Sequence, residues 1–175
     1  MRRPRVLCLG ILALFSLCSP SFARTAPQGE TPEERYGFLV GLCDEQEWEL
    51  AAREARAFLS EFPRHEKAEL ARYRMATALF ELGRKDQARE AYAELAKREG
   101  FEFRAEVCFR LGQCELALDR PAQAAAAFER VRAIPKSYLA LAAEFFLGEA
   151  RFAQGDFAGA EQSYSRVLAA PGGQE

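Results

Sequence analysis

Between Thr31 and Pro171 apolar residues return every three or four positions, interrupted at intervals by short polar stretches, and this rhythm predicts helices. Val107, Leu111, Cys114 and Leu118 share one helical face. Asp119-Arg120-Pro121 then breaks the pattern, and Ala124, Ala127, Phe128 and Val131 resume it. Asp119 is expected to cap the second helix and Pro121 to occupy its first turn, where no N–H is needed. Gly155-Asp156 makes the corresponding break further along. Thr31-Pro32-Glu33-Glu34 has the form of a capping box: Thr31 can accept from the Glu34 N–H while Glu34 reaches back, which marks the start of the folded region. No run alternates as a strand would, so the fold is expected to be all-α.

The pattern also repeats on a longer scale, at a shift of 36 residues. Phe145-Phe146-Leu147-Gly148 falls on Phe109-Arg110-Leu111-Gly112 and on Tyr73-Arg74-Met75-Ala76. Ala160 falls on Ala124 and Ala88, Tyr164 on Phe128 and Tyr92, Val167 on Val131 and Leu95, and Pro171 on Pro135. Trp48, Ala51, Ala55 and Phe58 join the register after one extra residue, with a weaker match before Trp48. Four helix hairpins are expected, at about 32–63, 69–100, 105–136 and 141–171. Gly148 and Ala160 are read as small because two helix backbones approach there, with Tyr164 filling the seam toward a following hairpin. Gly148, Gly155 and Gly159 fall within one short stretch, but no Lys-Ser/Thr follows as a phosphate-binding loop requires. Gly155 is read as part of the hairpin turn instead.

These units resemble the tetratricopeptide repeat, whose pattern is a small residue midway through the first helix, an aromatic after it, and small, aromatic and apolar residues down the second before a proline. The fourth unit carries it most fully in Leu147-Gly148, Phe152, Gly155-Asp156-Phe157, Ala160, Tyr164, Val167 and Pro171. The resemblance covers Thr31 to Pro171 and departs from the family in its period, 36 rather than 34, and in Val131 and Val167 where Ala is commoner. The longer period and links such as Ile134-Pro135-Lys136-Ser137-Tyr138 look like the repeats of bacterial envelope proteins, both the Tol-Pal coordinator type and the outer-membrane assembly type.

The resemblance implies an α-solenoid whose first helices line a concave face that binds a protein or peptide segment. Carried over by alignment, that lining comprises Tyr73, Arg74, Thr77, Phe80, Phe109, Arg110, Gln113, Leu116, Phe145, Glu149 and Phe152. Arg74 and Arg110 occupy equivalent places and are expected to grip a partner's carboxylates, since Arg offers a planar fork of donors. Phe80 and Phe152 are equally read as packing contacts. The Lys and Asn of the family's carboxylate-clamp members are replaced by Tyr73, Phe109 and Phe145 and by Thr77, Gln113 and Glu149. A chaperone tail is therefore not the implied partner. At the other end of the chain, Phe157, Tyr164, Val167 and Leu168 await a neighbour, leaving self-association, a partner or a truncated sequence as readings.

The region before Thr31 reads as an export signal. Arg2, Arg3 and Arg5 precede the apolar run Val6 to Leu17, which is too short to span a bilayer, and Ser21-Phe22-Ala23 suits cleavage after Ala23. Residues 24–30 are expected to form a flexible tether and 172–175 a disordered tail. A periplasmic location without a transmembrane span follows, with lipid anchoring at Cys18 as the alternative. The net charge of −2 becomes more negative once those arginines are removed, which disfavours nucleic acid as a partner. Cys43, Cys108 and Cys114 remain after processing. The last two lie about 9 Å apart along one helix, beyond disulfide reach, and all three are read as core residues.

The composition offers little catalytic chemistry. His65 is the single histidine and follows Phe62-Pro63-Arg64 in an inter-unit turn, where an exposed or capping role is expected. Asp44, Glu45, Glu47 and Glu49 lack the oxygen-rich glycine loop of a calcium site, and Trp48 aligns with Phe157 as a packing residue. No cofactor, metal or enzymatic activity is expected. The reading is a non-enzymatic scaffold of the bacterial cell envelope, in outer-membrane or cell-wall maintenance. The alternative is a helical accessory portion of a cell-wall enzyme whose catalytic domain lies outside this chain.

Overall fold

The computed structural model describes residues 31–170. The export signal, tether, Cys18, Pro171 and tail of the sequence reading lie outside them. Eight helices make up the described residues: α1 (Pro32–Asp44), α2 (Trp48–Glu61), α3 (Ala68–Glu81), α4 (Lys85–Leu95), α5 (Arg104–Ala117), α6 (Pro121–Arg132), α7 (Ala140–Ala153) and α8 (Phe157–Ala169). Each packs chiefly on its sequence neighbours, and contacts between α1 and α3 and between α5 and α7 bring first helices together. The result is a two-layered solenoid of antiparallel hairpins, α1, α3, α5 and α7 forming one layer.

All four hairpins turn by the same device. The residue after the first helix's last turn takes a left-handed backbone: Gln46 at φ 60°, Gly83 at 74°, Asp119 at 56° and Gly155 at 78°. The next N–H then reaches back five residues, from Glu47 to Leu42, Arg84 to Leu79, Arg120 to Glu115 and Asp156 to Arg151, at 2.8–2.9 Å. This is the Schellman closure, which satisfies carbonyls that the helix end would otherwise orphan. Asp119 is thus the left-handed residue and not the expected cap. Arg120 holds the cap position of α6 without a side-chain bond, and Pro121 opens the helix. The Thr31–Glu34 capping box forms in both directions, and Asp156 caps α8 by accepting from the Gly159 N–H at 2.9 Å.

Each hairpin is filled by one large side chain set against one small one. Tyr92 and Phe128 are fully buried, in register with Ala76 and Gly112 on the preceding helices. A Cβ built on Gly112 would lie 2.6 Å from the Phe128 ring, and one on Gly148 2.5 Å from the Tyr164 ring. Gly148 is therefore small because a ring lies on it, rather than because two backbones meet. Tyr164 does not reach toward a following hairpin: it folds over its own, against Phe145, and donates to Glu149 at 2.6 Å. In the first hairpin the matching positions are Leu39 and Ala55, both fully buried, so large and small have changed helices. This exchange accounts for the weak match before Trp48.

Ion pairs tie neighbouring helices. Arg35 spans Glu54, at 2.6 Å, and Glu61. The buried Glu144 carboxylate receives Arg132 at 2.8 Å and Arg166 at 3.2 Å. Cys43, Cys108 and Cys114 are buried free thiols, and burial pushes Cys114 up to about 11, so none is a ready nucleophile at neutral pH. His65 accepts from the Lys67 N–H and contacts Glu33, closing the turn ahead of α3.

Candidate partner-binding face

The first-helix layer carries an open cavity of about 340 Å³ lined by Tyr73 of α3, Glu106, Phe109 and Arg110 of α5, and Tyr138 and Leu139 of the link into α7. Tyr73, Phe109 and Arg110 were anticipated by the repeat alignment. They line one cavity because α3 and α5 present equivalent positions from successive hairpins. Tyr73 lies flat on Phe103, with ring centroids 5.0 Å apart, and Phe109 sets its edge against Phe128 and Phe146. These contacts fix both rings, giving the cavity preorganised aromatic walls.

Tyr138 completes the cavity from the inter-hairpin link, where Lys136 adopts a left-handed φ of 55°. It is 75% exposed, yet its hydroxyl donates to Glu106 Oε1 at 2.6 Å. That bond, with some loss of hydration and the repulsion of a second negative charge, pushes the Tyr138 phenol up to about 12, so it is neutral here as an ordinary tyrosine is. Glu106, Tyr138 and Leu139 were not among the lining residues expected from the alignment, where Tyr138 figured only as part of a link. Their signal lay in misfit to the repeat: Glu106 falls on Leu70 and Ala142, and Tyr138 on Glu102.

The other aligned residues have other surroundings. Thr77 donates to the Tyr73 carbonyl and accepts from the Tyr92 hydroxyl, which points it into the hairpin. Phe80 has the Lys85 ammonium 3.1 Å from its ring centroid and the Arg110 guanidinium at 4.5 Å. Arg110 also faces Glu81 at 3.6 Å and donates to Gln113 at 3.2 Å. Its charge is therefore engaged within the chain. Arg74 is half-buried near Tyr73 and Cys43, and Leu116 packs against the core. Phe145 and Glu149 lie on α7 with Tyr164 between them. Phe152, 58% exposed, meets Phe157 at the far end, away from the cavity residues.

Among the described residues no cluster of three His, Cys, Asp or Glu side chains converges on a metal position, and no helix is long and apolar enough to cross a membrane. What the face offers is recognition surface: fixed aromatic walls, one carboxylate and one internally paired guanidinium.

Similar folds occur among solved structures. MamA from Desulfovibrio magneticus RS-1 superposes with a TM-score of 0.67 at 17% identity, over 81% of this chain and 76% of that one. Pseudomonas aeruginosa PilF gives 0.63 at 21% identity over 77% of this chain and 59% of PilF. PilW, described as a widely conserved type IV pilus biogenesis factor, gives 0.62 at 25% identity over 82% of this chain and 63% of PilW. No curated protein matches in sequence. The family pattern described as tetratricopeptide repeat matches residues 73–138 and 132–175, more than half of the sequence. With the four equivalent hairpins and their shared turn, this establishes that the chain belongs to the tetratricopeptide repeat family.

Proposed function

We propose that the protein is a non-enzymatic scaffold of the bacterial cell envelope that holds a segment of a partner protein along its first-helix face. The observation that carries this reading is the cavity walled by Tyr73, Phe109 and Tyr138, apolar in its rings and open to solvent. Rings already held by Phe103, Phe128 and Phe146 lose little freedom when a ligand arrives, which favours binding. Tyr138 is the exposed aromatic at the edge, of the residue type that most often anchors interfaces. The sequence before Thr31 supports export to the periplasm, and the likeness to PilW is compatible with an envelope role.

The test is site-specific photocrosslinking in living cells. A photoreactive residue replacing Tyr138 is expected to trap a discrete envelope protein, while the same residue replacing Gln123, exposed on α6, traps none. Trapping from Gln123 alone, or from neither position, would reject this face.

A further inference from the structure

The charges around the cavity select the kind of side chain it can receive. Two ionised groups line it, Glu106 and Arg110. Arg110 has partners of its own: Glu81 lies 3.6 Å from its guanidinium, Gln113 accepts from it, and its Cζ stands 4.5 Å from the Phe80 ring centroid. Glu106 has no ion pair among the described residues. Its only side-chain bond there is the one received from Tyr138 at Oε1, so Oε2 remains an open acceptor. Three aromatic side chains, Tyr73, Phe109 and Tyr138, share the lining, and a ring face turned to a cation attracts it within about 6 Å.

We infer that the cavity is a receptor for one Lys or Arg side chain projected by the bound segment. The alkyl stem would lie along Phe109 and Leu139, and the cationic head would meet Glu106 between Tyr73 and Tyr138. This deepens the proposed function and rests on the first-helix face being the binding face. It reverses the polarity expected from sequence, in which Arg74 and Arg110 were to hold carboxylates. A carboxylate entering here would share Arg110 with Glu81 and Gln113 while facing the Glu106 charge. A cationic head needs no share of Arg110, and burying it beside a fixed carboxylate gives a charge-assisted hydrogen bond in place of an unpaired charge. The neutral phenol of Tyr138 suits the arrangement, because it holds one carboxylate oxygen in place without cancelling its charge.

The test is titration of the isotopically labelled protein, followed by amide chemical shifts, with four probes: the Nα-acetyl methylamides of lysine, arginine, norleucine and glutamate. Lysine and arginine probes are expected to give saturable shifts at Tyr73, Glu106 to Arg110 and Tyr138. Norleucine, which keeps the stem without the charge, should bind about tenfold more weakly, and glutamate should not saturate. Glu106→Gln, close in shape, should weaken the lysine probe to the norleucine level, with circular dichroism confirming the fold. Equal binding of norleucine and lysine, preference for glutamate, or no saturable shift from either cation would overturn the inference. Crosslinking from Tyr138 separates the two readings. If it traps a partner while the cationic probes fail, the face stands and its polarity does not. If the probes bind while crosslinks arise only from Gln123, the cavity stands and the partner face does not.

Discussion

Adding one methyl group at Gly112 tests the packing logic of the repeat. The new Cβ would stand 2.6 Å from both Cε1 and Cζ of Phe128 and 2.9 Å from Cδ1, against an ordinary carbon contact of about 3.5 to 4.0 Å. The ring would have to retreat by about 1 Å. It cannot do so freely, because Phe128 is fully buried, Phe146 stacks behind it at 5.6 Å and Phe109 meets it edge-on at 5.7 Å. Overpacking of this kind costs about 1–3 kcal/mol, while replacing a helical glycine by alanine returns about 1 kcal/mol. Because Phe128 is held on two sides, the upper part of the overpacking range, about 2–3 kcal/mol, applies, so the net expectation for Gly112→Ala is a loss of about 1–2 kcal/mol, or a fall in Tm of about 3–6 °C. Gly37→Ala is the matched control: Gly37 lies within α1, is exposed, and has nothing within 4 Å of an added Cβ. There only the helical gain operates, so stability should rise by up to about 1 kcal/mol. Urea and thermal unfolding followed by circular dichroism measure both. The reasoning fails if the two substitutions shift stability in the same direction, or if Gly112→Ala equals or exceeds the parent.

Three further outcomes follow from other parts of the chain. Arg166→Met should cost less than about 1 kcal/mol because Arg132 still pairs with Glu144, whereas Arg132→Met with Arg166→Met should cost about 3 kcal/mol by stranding a buried carboxylate; additive losses in urea unfolding would refute the shared-partner account. In tyrosinate absorbance titrations, the difference between the parent and Tyr138→Phe should appear near pH 12 and not near 10, and Glu106→Gln should bring it back toward 10. Since the folded phenol holds its proton more tightly than the unfolded one, this bond's stabilisation is complete below about pH 10 and is lost as pH rises toward 12. Gly83→Ala should cost about 1 kcal/mol in thermal unfolding by placing a Cβ at φ 74°, while Asp119→Gly, relieving that conformation at the matching turn, should change stability by less than about 0.5 kcal/mol because greater unfolded-state freedom offsets the relief.

The helices, the period and the capping box were readable because local chemistry writes them: a 3.6-residue stripe, a small-to-large pairing and a Thr-x-x-Glu signature each act within a few residues. Asp119 was misread as a cap because Asp is favoured there, and only the full turn shows that the left-handed position comes one residue earlier than the cap. Gly148 was read as a backbone contact because sequence gives no rotamer for Tyr164. The cavity on the first-helix layer was legible only in part. Alignment finds what recurs, and it brought Tyr73, Phe109 and Arg110 together. The features that distinguish the cavity, Glu106 and Tyr138, are the ones that do not recur. Arg110's engagement with Glu81 and Phe80 could not be seen at all, since it depends on how two hairpins stack.

The identical turn at Gln46, Gly83, Asp119 and Gly155 has a consequence for how such a chain can change length. Since helices touch little beyond their neighbours, a cut that removes one whole period, for example residues 100–135, leaves every remaining hairpin with its own large and small partner intact. The join would set the outer side of α4 against α7, where Tyr92 and Leu95 stand at the places of Phe128 and Val131. Copying a period would extend the chain by the same rule. The architecture is therefore a ruler with 36-residue divisions, whose span gene duplication can reset by whole divisions while the chemistry of each face drifts one residue at a time.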